Sequence, residues 1–571
     1  MRTFRAMSRV FVALLVVVAT LTSCGGDRGD DAAAVQSTST PQPECDPEPD
    51  AAFAEWAAAG FSGSIALSTG GEFDCLASYG WANAEAGSPN TVDTVFSLGS
   101  VSKAFTAAAV LELVSTGKIL LTDRVGDLIP ELAGREADAT VEQLLLHTSG
   151  LVGTHASDHE PLDRDAALAA IGRLERAFEP GSDFVYSNAG YTLLALIIEA
   201  SSGMTYRDYM VSQVLPLPDG DVAGGFWDGE PAAPGPRAVG YHDDGPTGEM
   251  GDFGGPHWAL DGNGDLAMTT SSLAAWTHAL FTGHVVSPEA VELLTTLAFD
   301  QGDGTSETPG WVAYDESLFG QPFFATAGGG GDVGHNAVVV WVPDDELVIA
   351  IASNTPAVSA EELLRAIGPA LVAGEPLPGP DAPARDVDPA DLTALVGTYE
   401  LESGGSLDVT ATDDQLAIAA NGADAIAALF PVPTGFTTDQ VVAHENAVSA
   451  LLAGETQEGR EERELLESDV GTIDDIEIVG TIVDDGELRT YVIIMSGSES
   501  TTLWYALDDQ GGIAAAEITR ERPTQRFVPS GSGRYRPDDP TGTGAEVTVE
   551  FDAGRMAVSS AAGTTVAELA A

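Results

Sequence analysis

Over residues 51–375 the apolar positions follow two different periods. Gly63–Ser68 alternates with the two-residue repeat of a strand. Lys103–Ser115, Leu193–Ser201 and Ser271–Phe281 instead repeat their apolar residues with a helical period. Ala337–Ser353 predicts two strands of nearly continuous apolar character, VVVWV and LVIAIAS, joined at Pro343-Asp344-Asp345, a hairpin signal. Gly- and Pro-rich loops lie between these segments, notably 216–265. The pattern predicts a mixed α/β (α+β) domain over 51–375, followed by a Pro-rich linker at 376–390.

Residues 391–571 are mainly β in pattern. Gly397-Thr398-Tyr399, Leu407-Asp408-Val409 and Leu416-Ala417-Ile418 are echoed by Gly533-Arg534-Tyr535, Val547-Thr548-Val549 and Met556-Ala557-Val558. This faint repeat predicts an accessory β-sandwich or small barrel. An acidic helical insertion is expected near 440–466.

The first residues are an address rather than part of the fold. Arg2, Arg5 and Arg9 form a basic region, and Val10–Leu21 is an apolar run too short to span a bilayer comfortably. Residues 1–23 are thus expected to be a signal peptide. Leu21-Thr22-Ser23-Cys24, followed by Gly25-Gly26, resembles a bacterial lipobox, in which Cys24 would be acylated. The alternative is an ordinary signal with an incidental cysteine. Residues 24–50 then form a lipidated flexible tether. The expectation is an exported protein of the cell envelope, held to a bacterial membrane by its N-terminal lipid. Cys45 and Cys75 remain as a possible disulfide of an oxidising compartment, or as two free thiols.

Composition narrows the partners. Asp plus Glu number 88 against 24 Lys plus Arg, a formal net charge of −64. With no basic patch to meet a phosphate backbone, nucleic acid is excluded as a partner. Such acidity suits high ionic strength, where salt screens self-repulsion. Apolar content of 44% against 20% charged is sufficient for a sizeable core.

Lysine occurs only at Lys103 and Lys118. Lys118 follows Gly117 at a helix end, where a cation favours the dipole. Lys103 opens an otherwise apolar Ala- and Val-rich helix, three residues after Ser100, so both side chains share one face. Free N–H groups at a helix start would also suit an oxyanion there. Tyr186-Ser187-Asn188 precedes another apolar helix, and LLLHTSGL at 144–151 sets His147 at a helix-to-loop transition. Read alone, the Tyr-Ser-Asn segment could be a buried tyrosine beside a helix cap.

Taken together, FSLGSVSKAFTAAAVLELV, LLLHTSGL and FEPGSDFVYSNAGY resemble the serine β-lactamase and penicillin-binding-protein superfamily. They are most similar to its branch of class C β-lactamases, D-alanyl-D-alanine carboxypeptidases and esterases. The resemblance spans roughly residues 50–375 and implies helices sandwiching an antiparallel sheet. It also implies Ser100 as nucleophile forming an acyl-enzyme, Lys103 taking or holding its proton, and Tyr186 passing that proton to the leaving group. Asn188 would orient a substrate amide, and His147 would fix the loop beneath the site. No cofactor and no metal are implied; the substrate would be a small molecule or derived from cell wall. An edge strand should carry Lys-Thr-Gly or His-x-Gly, whereas FFATAGGGGDVGHNAVVVWVP places Thr326-Ala327-Gly328 there. Thr326 and Gly328 would line the substrate site, and Gly329 would supply the second oxyanion N–H. No basic residue holds that slot, which disfavours carboxylate-bearing substrates such as penicillins. His335, seven residues past Gly328, is read as a turn or strand-start histidine.

Other hydrolase patterns are missing: there is no GxSxG, HExxH or GxxxxGK[ST]. His155 and His159 with Asp158 lack a credible third and fourth metal ligand. The competing reading is a binding or scaffolding protein on a decayed hydrolase fold. A further one gives residues 386–571 the functional role of binding peptidoglycan or a partner.

Overall fold

The computed structural model describes residues 45–570, apart from 133, 175, 243–244, 248–252, 303, 331–332, 356, 381–391, 412–414, 434–435, 485–486, 498, 508–510, 520–521, 532, 539–546, 553 and 561–562. The expected signal peptide, Cys24 and most of the tether lie outside the described residues. So does most of the Pro-rich linker.

An eight-stranded antiparallel sheet organises the first part of the chain. Its strands are β1 (Gly63–Thr69), β2 (Glu72–Tyr79), β3 (Phe299–Asp300), β4 (Thr305–Thr308), β5 (Trp311–Tyr314), β6 (Phe323–Gly330), β7 (His335–Val342) and β8 (Leu347–Ser353). They lie in the order β3-β4-β5-β6-β7-β8-β1-β2. The hairpin at Pro343-Asp344-Asp345 pairs β7 with β8 over its whole length, Val342 opposite Leu347.

The near-continuous apolar runs have a physical cause: both faces of the sheet are covered. Ala66, Val339, Trp341, Val348 and Ala350 point into one core with helices α2 (Ser102–Ser115), α3 (Asn188–Ser202) and α4 (Thr270–Phe281). Their neighbours Ile65, Leu67, Val338, Val340, Ile349 and Ile351 point into the other. There they meet Phe53 and Trp56 of α1 (Pro47–Ala58) and Leu363 and Ile367 of α5 (Ala360–Ala373). The three-layer arrangement is that of a β-lactamase-like sandwich. A disulfide joins Cys45, just before α1, to Cys75 on β2. Helix α2 is apolar all round because it is central, with buried residues on every face from Ser102 to Leu113.

The C-terminal part contains a closed eight-stranded barrel. Strands 397–401, 406–411 and 416–421 form one portion, and strands 524–531, 534–537, 548–552, 555–560 and 563–569 the other. The faint sequence repeat thus marks two portions of a single barrel. The segment between them is larger than the 440–466 insertion expected from the sequence. It holds helices 423–429, 438–452 and 457–470 and a separate four-stranded sheet over 475–519. Those strands alternate like the barrel's own, so periodicity alone assigned them to the same unit.

Candidate active site

Ser100 lies on a single helical turn, Gly99–Val101, that leads directly into α2. The approach requires glycine: Gly99 has φ 50°, and a Cβ there would stand 2.7 Å from the backbone nitrogen of Gly329. Lys103, three residues on, is buried. Its ammonium donates to Ser100 Oγ at 3.0 Å and to the carbonyl oxygen of Asn263 at 2.9 Å. Tyr186 comes from the segment entering α3, whose first turn is capped by Ser187 Oγ accepting from the Gly190 N–H. The Tyr186 hydroxyl donates to Ser100 Oγ at 2.8 Å, and the Lys103 nitrogen stands 4.8 Å from the centre of the tyrosine ring. Ser100, Lys103 and Tyr186 are therefore brought together around one oxygen.

His147 supports this arrangement from below. It takes a left-handed conformation, φ 55°, and its Nδ1 accepts the Ser187 N–H at 3.0 Å, next to Tyr186. Burial, reinforced by the Lys103 charge, lowers its pKa to about 3. The neutral ring must then carry its proton on Nε2, which faces Glu307 Oε1 at 3.8 Å. Glu307 is itself pushed up to about 8 by burial, opposed by Lys103.

Strand β6 closes the site. A Cβ on Gly328 would collide with the Ser100 nitrogen and lie 2.6 Å from Leu98 O and Val101 N. The backbone of β6 therefore lies directly against the nucleophile's turn. Ser100 borders two cavities. The smaller, about 150 Å³, is also lined by Asn188 and Gly329. The larger, about 310 Å³, is lined by Lys103, Tyr186, Glu307 and Thr326. His335 opens β7 and is buried, its Nδ1 accepting the Ser97 N–H at 3.0 Å. Burial holds it near pKa 3, so it is a neutral strand-start residue and brings no cation to the Thr326 slot.

Three contributors were not singled out from the sequence. Asn263 acts through a backbone carbonyl, which no residue pattern reveals. Its side chain is locked by bonds to Thr192 Oγ1 and Ala259 O, at 2.9 and 3.0 Å. Glu307 lies on a short strand far along the chain, without a recognisable pattern. Arg365, exposed on α5, lines the same cavity as Thr326. A cation therefore does stand at that cavity, although the Thr326 position itself has none. Among the described residues no group of three His, Cys, Asp or Glu could hold a metal. His155 Nε2 instead meets Trp258 O at 2.8 Å, and His159 Nδ1 meets Asp228 Oδ2 at 2.6 Å.

Comparison with known proteins identifies relatives of the chain and of its fold. The chain is 25% identical over 386 residues to penicillin-binding protein 4* of Bacillus subtilis, covering 62% of this chain and 83% of that protein. It is 28% identical over 348 residues to penicillin-binding protein 4 of Amycolatopsis lactamdurans, covering 55% and 86%. Among solved structures, an octameric penicillin-binding protein homologue from Pyrococcus abyssi superposes with TM-score 0.50 at 17% identity. That match covers 91% of this chain and 98% of the other, and shows a shared fold. The family model described as Beta-lactamase matches residues 51–372, more than half of the chain, so the protein belongs to the Beta-lactamase family and carries its serine-hydrolase fold.

Proposed function

We propose that this protein is an exported, lipid-anchored serine hydrolase that works through an acyl-enzyme on Ser100. The observation that carries the reading is the convergence of Lys103 Nζ and Tyr186 OH on Ser100 Oγ, at 3.0 and 2.8 Å. Ser100 Oγ attacks an acyl carbonyl, and Lys103 takes or holds the released proton. Tyr186, partly exposed beside the larger cavity, passes a proton to the leaving group. The backbone N–H groups of Ser100 and Gly329 receive the developing oxyanion. One such donor is worth about 100- to 1,000-fold in rate. Asn188, at the start of α3, orients the substrate amide from the smaller cavity.

The substrate class is an ester, amide or D-amino-acid peptide, of small-molecule or cell-wall origin. Thr326 in the place of a basic residue disfavours recognition of a carboxylate at that point. Anchorage through Cys24 to a bacterial membrane is part of the same proposal.

Labelling with a fluorophosphonate probe and with a fluorescent penicillin, beside Ser100→Ala, tests the catalytic reading. Wild type is expected to label with fluorophosphonate and the variant not to label. A folded wild type that reacts with neither probe, even at raised salt, would favour a binding or scaffolding role instead. Release of the protein from membranes by Cys24→Ser tests the anchor.

A further inference from the structure

One buried ionisable group beside the nucleophile has no part in the proposed steps. Glu307, on β4, is 7% exposed and lines the larger cavity with Ser100, Lys103 and Tyr186. The turn that follows it is pressed against the base. Gly310, between β4 and β5, has φ 74°, and a Cβ there would stand 2.7 Å from Ala104 Cα and 2.8 Å from Lys103 O. Three residues after Glu307, the β4–β5 hairpin therefore packs onto the backbone of Lys103 itself.

The Glu307 carboxyl is only loosely held. Gln301 Nε2 donates to its Oε2 at 3.4 Å, and His147 Nε2 faces its Oε1 at 3.8 Å, beyond a normal hydrogen bond. The other ring nitrogen of His147 accepts the Ser187 N–H, one residue past Tyr186, and the ring lies 4.5 Å from that of Tyr186. Lys103 is fixed between Ser100 Oγ and Asn263 O, 4.8 and 5.8 Å from the ring centres of Tyr186 and Tyr191. One carboxyl thus adjoins both proton-handling groups, Lys103 across their shared cavity and Tyr186 through His147.

Other ionisable groups on the neighbouring elements are engaged or exposed. Tyr191 of α3 donates to Leu145 O, and Glu112 of α2 accepts the Ser287 N–H. Tyr314 of β5 stacks on Phe323. Asp300 of β3, and Glu289 and Glu292 of the helix Pro288–Thr296, are exposed. Glu361 and Arg365 reach the cavity from α5, Glu361 accepting from Asn336 Nδ2. Asp265, whose carboxyl burial also pushes up, pairs with Arg207 at 4.0 Å and with Asp261.

A carboxylate near an ammonium holds the proton on it, whereas a neutral carboxyl does not. Burial, opposed by the Lys103 charge, lifts Glu307 to about 8, so its charge changes within the working range of a hydrolase. We infer that Glu307 is a positioning residue that sets the proton occupancy of the Ser100 base: when neutral it lets Lys103 release its proton, and when ionised it holds that proton in place. The inference deepens the proposed Ser100 chemistry and rests on it. Two coupled groups lose their protons in steps that belong to the pair. At low pH each unit of pH frees about ten-fold more base. Once Glu307 ionises, one proton remains between carboxyl and amine, and the rate stops rising until that proton leaves.

The test is the second-order rate of fluorophosphonate labelling from pH 5.5 to 9.5 at fixed ionic strength, with circular dichroism confirming the fold at each pH. The wild-type rate is expected to climb about ten-fold per unit, flatten near pH 8 and climb again. Glu307→Gln should climb in a single step with its midpoint at least about half a unit lower, and so label about three-fold faster or more on the rising limb. Glu307→Met removes the charge without leaving an amide to satisfy, and carries the same expectation should the glutamine variant not fold. The wild-type shoulder is read without any substitution. A wild-type profile lacking the shoulder, or a folded variant that is slower at every pH with its profile unmoved, would overturn the inference and leave Glu307 a packing residue. A wild type that labels at no pH would overturn the Ser100 reading, and this inference with it.

Discussion

The contact between β6 and the Ser100 turn gives the sharpest prediction, Gly328→Ala. Gly328 does not have a left-handed φ, so alanine is not excluded by backbone conformation. The conflict is one of space. The added Cβ would overlap the Ser100 nitrogen and lie 2.6 Å from Leu98 O and Val101 N. Ordinary contacts of carbon are about 3.5–4.0 Å, so β6 and the turn must separate by about 1 Å. All three obstructing atoms are backbone, and no rotamer change relieves them. Overpacking of this kind costs about 1–3 kcal/mol of stability. A shift of about 1 Å at a reacting centre costs about 100-fold in rate, in line with the loss of one oxyanion donor. The assay is the second-order rate of fluorophosphonate labelling, read beside thermal unfolding. Gly328→Ala should label about 100-fold more slowly and melt lower than wild type. Gly190→Ala is the control. Its Cβ would meet nothing closer than 3.6 Å within helix α3, so it should label normally and be up to about 1 kcal/mol more stable. Labelling of Gly328→Ala within three-fold of wild type would refute the close apposition of β6 to the nucleophile.

Other outcomes follow from the same site and fold. Lys103→Met removes both the bond to Ser100 and the anchor on Asn263 O, and should slow labelling by about 100-fold or more without unfolding the protein. Tyr186→Phe should impair turnover of substrates with poor leaving groups more than those with good ones, measured as the ratio of amide to activated-ester kcat/KM. Glu307 is raised from 4.5 to about 8 on folding, so its stabilising effect is complete below about pH 4.5 and lost as pH rises to about 8. The loss of urea stability between pH 6.5 and 8 should therefore be smaller in Glu307→Gln; Asp265 acts in the same direction in both proteins, and the difference between them is the readout. His147 works oppositely, its lowered pKa costing stability as pH falls below about 6.5. Cys75→Ser opens the disulfide to Cys45, 30 residues away, and should cost about 3 kcal/mol on the chain-entropy model, seen as a lower unfolding midpoint.

The sequence by itself determined the elements and the chemistry that lies close along the chain. The helix α2, the β7–β8 hairpin and the pairing of Ser100 with Lys103 are local: period, turn residues and a three-residue spacing specify them without reference to distant parts. Because Tyr186 precedes an apolar helix, its position just before α3 was legible too, although its distance from Ser100 was not. Only the tertiary structure decided what meets across the layers. Asn263 holds Lys103 by a carbonyl that every residue possesses, Glu307 faces His147 from strand β4, and Arg365 reaches the Thr326 cavity from α5. Which of the chain's 88 acidic residues lose water is likewise invisible in the sequence, since it depends on loop packing. Barrel closure and the extent of its insertion had the same origin: strand alternation records which face is buried but not which strand lies alongside. Periodicity encodes burial, and burial is local. Convergence of groups is set by how the layers stack, which no single stretch of sequence contains.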